Sequence, residues 1–170
     1  MAHYTTNFRL LAGVGALALL AVALPGRQAM AAATATSNFT VSATVQATCL
    51  ISAGNLSFGT YTGSQVDASS TISVTCTNTT PYDVGLSAGT TTGATTSTRK
   101  MAGTGGATLN YALYTDSGHL SNWGNIVDTD AVEGTGNGSA QSLTVYGRLP
   151  AAQYVTPGAY SDTITATITY

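Results

Sequence analysis

The sequence predicts an all-β domain built as an antiparallel sandwich, and three observations carry that prediction. Apolar and polar residues alternate with period two in segment after segment, which is the signature of half-buried strands. Thr, Val, Ile and Tyr are abundant and only 7% of residues are charged, so helix formers such as Glu, Lys and Gln are nearly absent while strand formers dominate. Gly, Asn, Asp and Pro punctuate the segments at short intervals, as an antiparallel sandwich with Greek-key links requires.

In chain order, the first element is an address. Arg9 supplies a positive n-region, Leu10 to Leu24 is a fifteen-residue apolar run, Pro25-Gly26 breaks it, and Ala29-Met30-Ala31 places small residues at peptidase spacing. These features predict a signal peptide over 1–31, with cleavage after Ala33 as the alternative. Fifteen residues cover about 22 Å as helix, short of a ~30 Å hydrocarbon core, which disfavours a membrane anchor. Beyond the cut remain Arg99, Lys100 and Arg148 against seven acids, a formal balance of −4. Such a chain has no electrostatic footprint for nucleic acid.

The segment Ala35–Ala47 reads A-T-S-N-F-T-V-S-A-T-V-Q-A. Phe39, Val41, Ala43 and Val45 share one face, and no Gly, Pro, Asn or Asp intervenes before Cys49. A leading strand with no turn behind it is poorly placed to fold back on its own domain and well placed to pair with another molecule. The plainer alternative is an ordinary first strand inside its own sandwich. Residues 32–48 are therefore read as a donor-strand extension and 49–170 as the globular domain.

Within that domain the expected strands are Leu56–Tyr61, kinked at Gly59; Thr71–Thr77, with Ile72, Val74 and Cys76 inward; and Tyr82–Ala88, opened by Pro81. Gly89–Ser97 is an exposed Thr/Gly/Ala loop, and Arg99-Lys100-Met101 leads into a turn at Gly103–Gly106. Leu109–Tyr114 follows, then a glycine-dense loop at Glu133–Ser139, then Gln141–Leu149 with Leu143, Val145, Gly147 and Leu149 on one face. Tyr160–Tyr170 closes the chain, its apolar face carrying Ile164, Ala166 and Ile168 and interrupted by Asp162. Cys49 and Cys76 are the only cysteines, and in an exported chain such a pair reads as a disulfide.

Chemistry is harder to find. His119 follows Asp116-Ser117-Gly118, a turn without a nucleophile elbow. Asp128, Asp130 and Glu133 depart from a calcium-loop pattern and read as a solvated acidic loop. No catalytic residue, metal ligand, cofactor or small-molecule substrate is expected.

F-T-V-S-A-T-V-Q-A-T-C at Phe39–Cys49, L-S-F-G-T-Y at Leu56–Tyr61, I-S-V-T-C at Ile72–Cys76, Y-G-R-L-P at Tyr146–Pro150 and G-A-Y-S-D-T-I-T-A-T-I-T-Y at Gly158–Tyr170 together resemble the spore coat protein U domain. That family is shared by secreted coat proteins and by subunits of archaic (Csu-type) chaperone–usher pili. The resemblance implies an incomplete immunoglobulin-like antiparallel β-sandwich completed by donor-strand exchange. It implies a structural subunit of a fimbria, exported through the periplasm to the cell surface and supporting adhesion or biofilm formation, not an enzyme. Its partners would be neighbouring pilin subunits in a polymer, a periplasmic chaperone and an outer-membrane usher. The donor side chains would be Phe39, Val41, Ala43 and Val45. The acceptor groove and chaperone-docking strand would present Ile164, Ala166, Ile168 and Tyr170. A self-contained coat protein of the same fold is the alternative.

Overall fold

The computed structural model describes residues 30–170, so Arg9 and the apolar run of the expected signal peptide lie outside the described residues. Residues 43–170 form one compact unit. Its strands are β1 (Cys49–Ala53), β2 (Val66–Cys76), β3 (Pro81–Leu86), β4 (Arg99–Ala102), β5 (Thr108–Tyr114), β6 (Val132–Thr135), β7 (Gln141–Leu149) and β8 (Ala166–Thr169). All pair antiparallel. One sheet has five strands in the order β1-β2-β7-β5-β4, and the other has three, β6-β3-β8. The protein is thus all-β, in two unequal sheets.

Period-two alternation builds the core. Ile72, Val74 and Cys76 of β2, Leu109, Tyr111 and Leu113 of β5, and Val145 and Leu149 of β7 are buried from the larger sheet. Tyr82, Val84 and Leu86 of β3 answer them from the smaller one. Burying each such apolar side chain contributes about 1.5–3 kcal/mol. Trp123, in the connection after β5, is buried and donates its indole N–H to the Val84 carbonyl at 2.7 Å, which satisfies the one polar atom of a large apolar group.

Cys49 and Cys76 are bonded and sit directly opposite each other in the β1–β2 register. The disulfide expected from the cysteine count is therefore present, and it clamps the edge strand β1 to the sheet.

Several elements differ from the sequence expectation. Leu56–Tyr61 forms no strand. Gly59 takes a positive φ of 68°, and the segment is held by side chains, since Leu56 and Phe58 lie over the bare face of Gly147 and the Tyr61 hydroxyl donates to the Pro150 carbonyl at 2.8 Å. Of Tyr160–Tyr170 only Ala166–Thr169 is in a ladder; Ser161 makes one bridge to Ala102, and the residues between cross from one sheet to the other.

Three strands went unforeseen, the first of them β1, Cys49–Ala53. β6 sits in the glycine-dense loop because Gly134 lies under the Tyr82 ring, where any Cβ would overlap it. β4 begins at Arg99, which is fully buried. Its guanidinium donates to four carbonyls: Nε to Ser87 at 2.8 Å, Nη1 to Thr96 at 2.6 Å, and Nη2 to Leu86 at 3.0 Å and Trp123 at 2.7 Å. A buried cation is tolerated only when its donors are so satisfied. Arg99 thereby ties β4, the end of β3 and two loops together.

Candidate assembly cleft

Three strands cannot cover five. Where the larger sheet is left bare, the fold holds a cleft of about 1180 Å³. Its floor is the inner face of the larger sheet, with Ile72, Met101, Leu109, Leu113, Val145 and Leu149. One wall is the strandless segment carrying Leu56, Phe58 and Tyr61; the other is the segment from Gln153 to Ala166. β8, which carries Ala166, pairs with β3 alone among the described strands, so it is an edge strand. An unpaired edge beside an apolar trough is a template for one more strand.

Of the four C-terminal residues singled out in the sequence, Ile164 and Ala166 line the cleft. Ile168 is half-buried opposite Val84 and packs against the core. Tyr170 lies one residue beyond β8, 58% exposed.

Residues 30–48 belong to no strand. Phe39, Val41 and Val45 are 87%, 82% and 87% exposed, and Ala43 is exposed too. A run patterned as a half-buried strand is thus left with its apolar face in water, which forgoes about 1.5–3 kcal/mol for each of the three large side chains.

Several cleft residues were not singled out in the sequence. Phe58 meets Tyr111 edge-to-face at 6.0 Å between ring centroids. The Tyr111 hydroxyl donates to Asp162 Oδ2 at 2.8 Å; burial, reinforced by Asp162, pushes its pKa well above the usual tyrosine value. Gln153 presents its side-chain amide to the Asn110 backbone in both directions, accepting from N–H and donating to C=O at 2.8 Å each. It stands in for a ladder residue just where Pro150, lacking an N–H, follows β7. The one available signal was Asp162, the single charge in an otherwise apolar period-two series.

Outside the cleft, Asp116 accepts from the backbone N–H groups of Leu120 and Ser121, while His119 Nδ1 faces Arg148 at 3.0 Å. Asp116 and His119 are therefore not assembled as a catalytic pair. Asp130 accepts from the Ile126 N–H and so braces its own loop. Asp83, half-buried, joins the exposed Asp128 and Glu133 instead, with one oxygen from each within 4.8 Å of the others.

The Spore Coat Protein U domain matches residues 35–167. This chain belongs to that family. It is 34% identical over 156 residues to Protein U of Myxococcus xanthus, covering 82% of this chain and 87% of that protein. Its fold is similar to that of a chain in the CsuC–CsuE chaperone–tip adhesion subunit pre-assembly complex from the archaic chaperone–usher Csu pili of Acinetobacter baumannii. The TM-score is 0.55 and the identity 23%, with 75% of this chain matched to 40% of that one. The family match thus begins within the exposed run and spans the cleft-bearing domain of this spore coat protein U domain protein.

Proposed function

We propose that this protein is a structural subunit of an extracellular fimbria, assembled by a chaperone–usher pathway through donor-strand complementation. The supporting observation is a pairing of deficits within one chain: a sandwich with an uncovered cleft beside the edge strand β8, and a strand-patterned run whose apolar face is exposed. Each is what the other lacks, and residues 34–47 of a neighbouring copy are the occupant the cleft would take. Strand addition to an open edge supplies ladder hydrogen bonds for affinity and side-chain pockets for register. Before assembly a periplasmic chaperone would fill the same cleft, and an usher would pass the subunit to the cell surface. The solved relative in fold comes from a chaperone–subunit complex, which fits this order of events. Phe39, Val41, Ala43 and Val45 would be the donor side chains, and adhesion or biofilm support the biological use.

The test compares the mature protein with and without residues 34–45. SDS-resistant ladders that vanish on truncation are the expected result; the absence of any oligomer in the full chain overturns the reading. Phe39→Asp should stop assembly without unfolding a chaperone-bound subunit. The family description favours one second reading, a self-contained coat protein. It predicts a stable monomer whose melting temperature collapses when the run is removed.

A further inference from the structure

We propose that Asp162 is the positioning residue that presets the cleft wall for an incoming strand, by tying the crossing segment 161–165 to Tyr111 on the cleft floor and to Thr90 of the loop after β3. The inference rests on the donor-strand reading and assigns a residue to it. Tyr160, Asp162, Ile164, Ala166 and Ile168 are the half-buried members of an alternating series, and Asp162 is its one charge. A carboxylate in an apolar wall is costly unless it collects donors. Asp162 collects them from two directions: Oδ1 accepts from the Thr90 N–H at 2.8 Å, the Thr90 hydroxyl at 3.0 Å and its neighbour Thr163 N–H at 2.8 Å, and Oδ2 accepts from the Tyr111 hydroxyl at 2.8 Å.

The loop is shaped to receive it. Gly89 has φ of 93°, and any Cβ there would overlap the carboxylate. Tyr111 in turn meets Phe58 of the opposite wall, so the chain Asp162–Tyr111–Phe58 links both walls across the floor. Burial and Asp162 both raise the pKa of this hydroxyl. Asp162 is also one of the carboxylates whose field favours the charged form of the buried Arg99.

Hydrogen bonds also hold the two ends of this segment. At one end Ser161 and Ala102 exchange hydrogen bonds at 2.8 and 3.0 Å. At the other, Thr165 bonds to Ser87 through the Ser87 N–H at 3.0 Å and the Ser87 hydroxyl at 2.9 Å. Residues 162–164 between them are in no ladder. Released from Asp162, residues 162–164 would lose their fixed tethers to Thr90 and Tyr111, and the wall a donor strand meets would have to be ordered during capture. That ordering cost would fall on the rate of capture.

The experiment uses the full mature chain carrying Phe39→Asp, which silences its own donor run, and a fluorescent peptide of residues 35–47. Two quantities are measured: the second-order capture rate by anisotropy, and the melting temperature of the captured complex. Asp162→Ala is expected to slow capture at least about tenfold, as expected for losing charge-assisted hydrogen bonds. The complex should still melt within about 2 °C of its parent, because the donor strand takes over the bracing. Asp162→Asn, which keeps an acceptor for Thr90, should recover most of the rate. Should Asp162→Ala fail to fold, Tyr111→Phe removes one hydroxyl only and is expected to slow capture about threefold or more. Capture at the parent rate in both variants, or a complex melting temperature that falls in step with the rate, overturns the inference alone. Failure of the Asp162 chain to capture peptide at all overturns the pilin reading and the inference with it.

Discussion

Two stretches of this chain carry the same pattern and meet opposite fates. Phe39–Val45 and Leu143–Leu149 both alternate apolar and polar residues, and both are free of Pro, Asn and Asp. The second is the middle strand of the larger sheet, flanked by β2 and β5, with Val145 and Leu149 buried. The first is in no strand, and its apolar side chains are in water. Period two therefore records the capacity to be a strand. Whether that capacity is used depends on a free sheet edge; in the proposed function that edge is β8, which borders a cleft.

The sharpest way to break this comparison is a pair of truncations. Leu149→Ala should destabilise the domain by about 2–5 kcal/mol in urea unfolding, because it truncates a buried side chain of the packed core. Phe39→Ala should change the stability of the unassembled chain by less than about 0.5 kcal/mol, as an exposed substitution does, while abolishing polymer ladders. Equal losses at the two sites would mean that the run pairs within its own domain in solution.

A second test concerns the boundary between the two stretches. Replacing Cys49 and Cys76 together by Ala should cost about 2–4 kcal/mol, read as a lower melting temperature. It should also loosen β1, which begins at the disulfide. Native-state hydrogen exchange sharpens the contrast further. Amides of 141–149 should exchange only with global unfolding, and those of 39–47 should exchange as a free chain does; in the assembled polymer, 39–47 should become protected.

The smallest effect comes from the clasp that holds β7 to β2. Asp67 and Arg148 face each other in register, with two hydrogen bonds of 2.8 Å, and these hold the Asp67 carboxyl below its ordinary value of 3.8. A depressed carboxylate stabilises the fold above the ordinary value, and that contribution is lost as pH falls through the depressed one. Acid titration of the melting temperature should therefore show a slightly shallower loss below about pH 4 in Asp67→Asn than in the parent. Identical profiles would show that the pair contributes nothing.

How legible the molecule was follows from what each residue was asked to reveal. Gln141–Leu149 was readable end to end, because a central strand owes its pattern to two neighbouring strands and one buried face. The Cys49–Cys76 link was readable because only one pairing exists. β4 was not, since Arg99 looks like a surface cation and is buried only because four carbonyls, from the end of β3 and two loops, converge on it. Leu56–Tyr61 misled in the other direction. Its alternation serves a loop laid across Gly147, and local pattern does not distinguish that from a ladder.

By itself, then, the sequence determined the all-β class, the disulfide and a leading run able to be a strand, because composition, count and periodicity are local properties. The tertiary structure alone decided that three strands face five, that β8 is an edge, that Ile164 and Ala166 line the cleft while Ile168 packs against the core opposite Val84, and that Asp162 braces its wall. Those outcomes depend on which segments meet, and a residue's neighbours in space are not written in its neighbours along the chain.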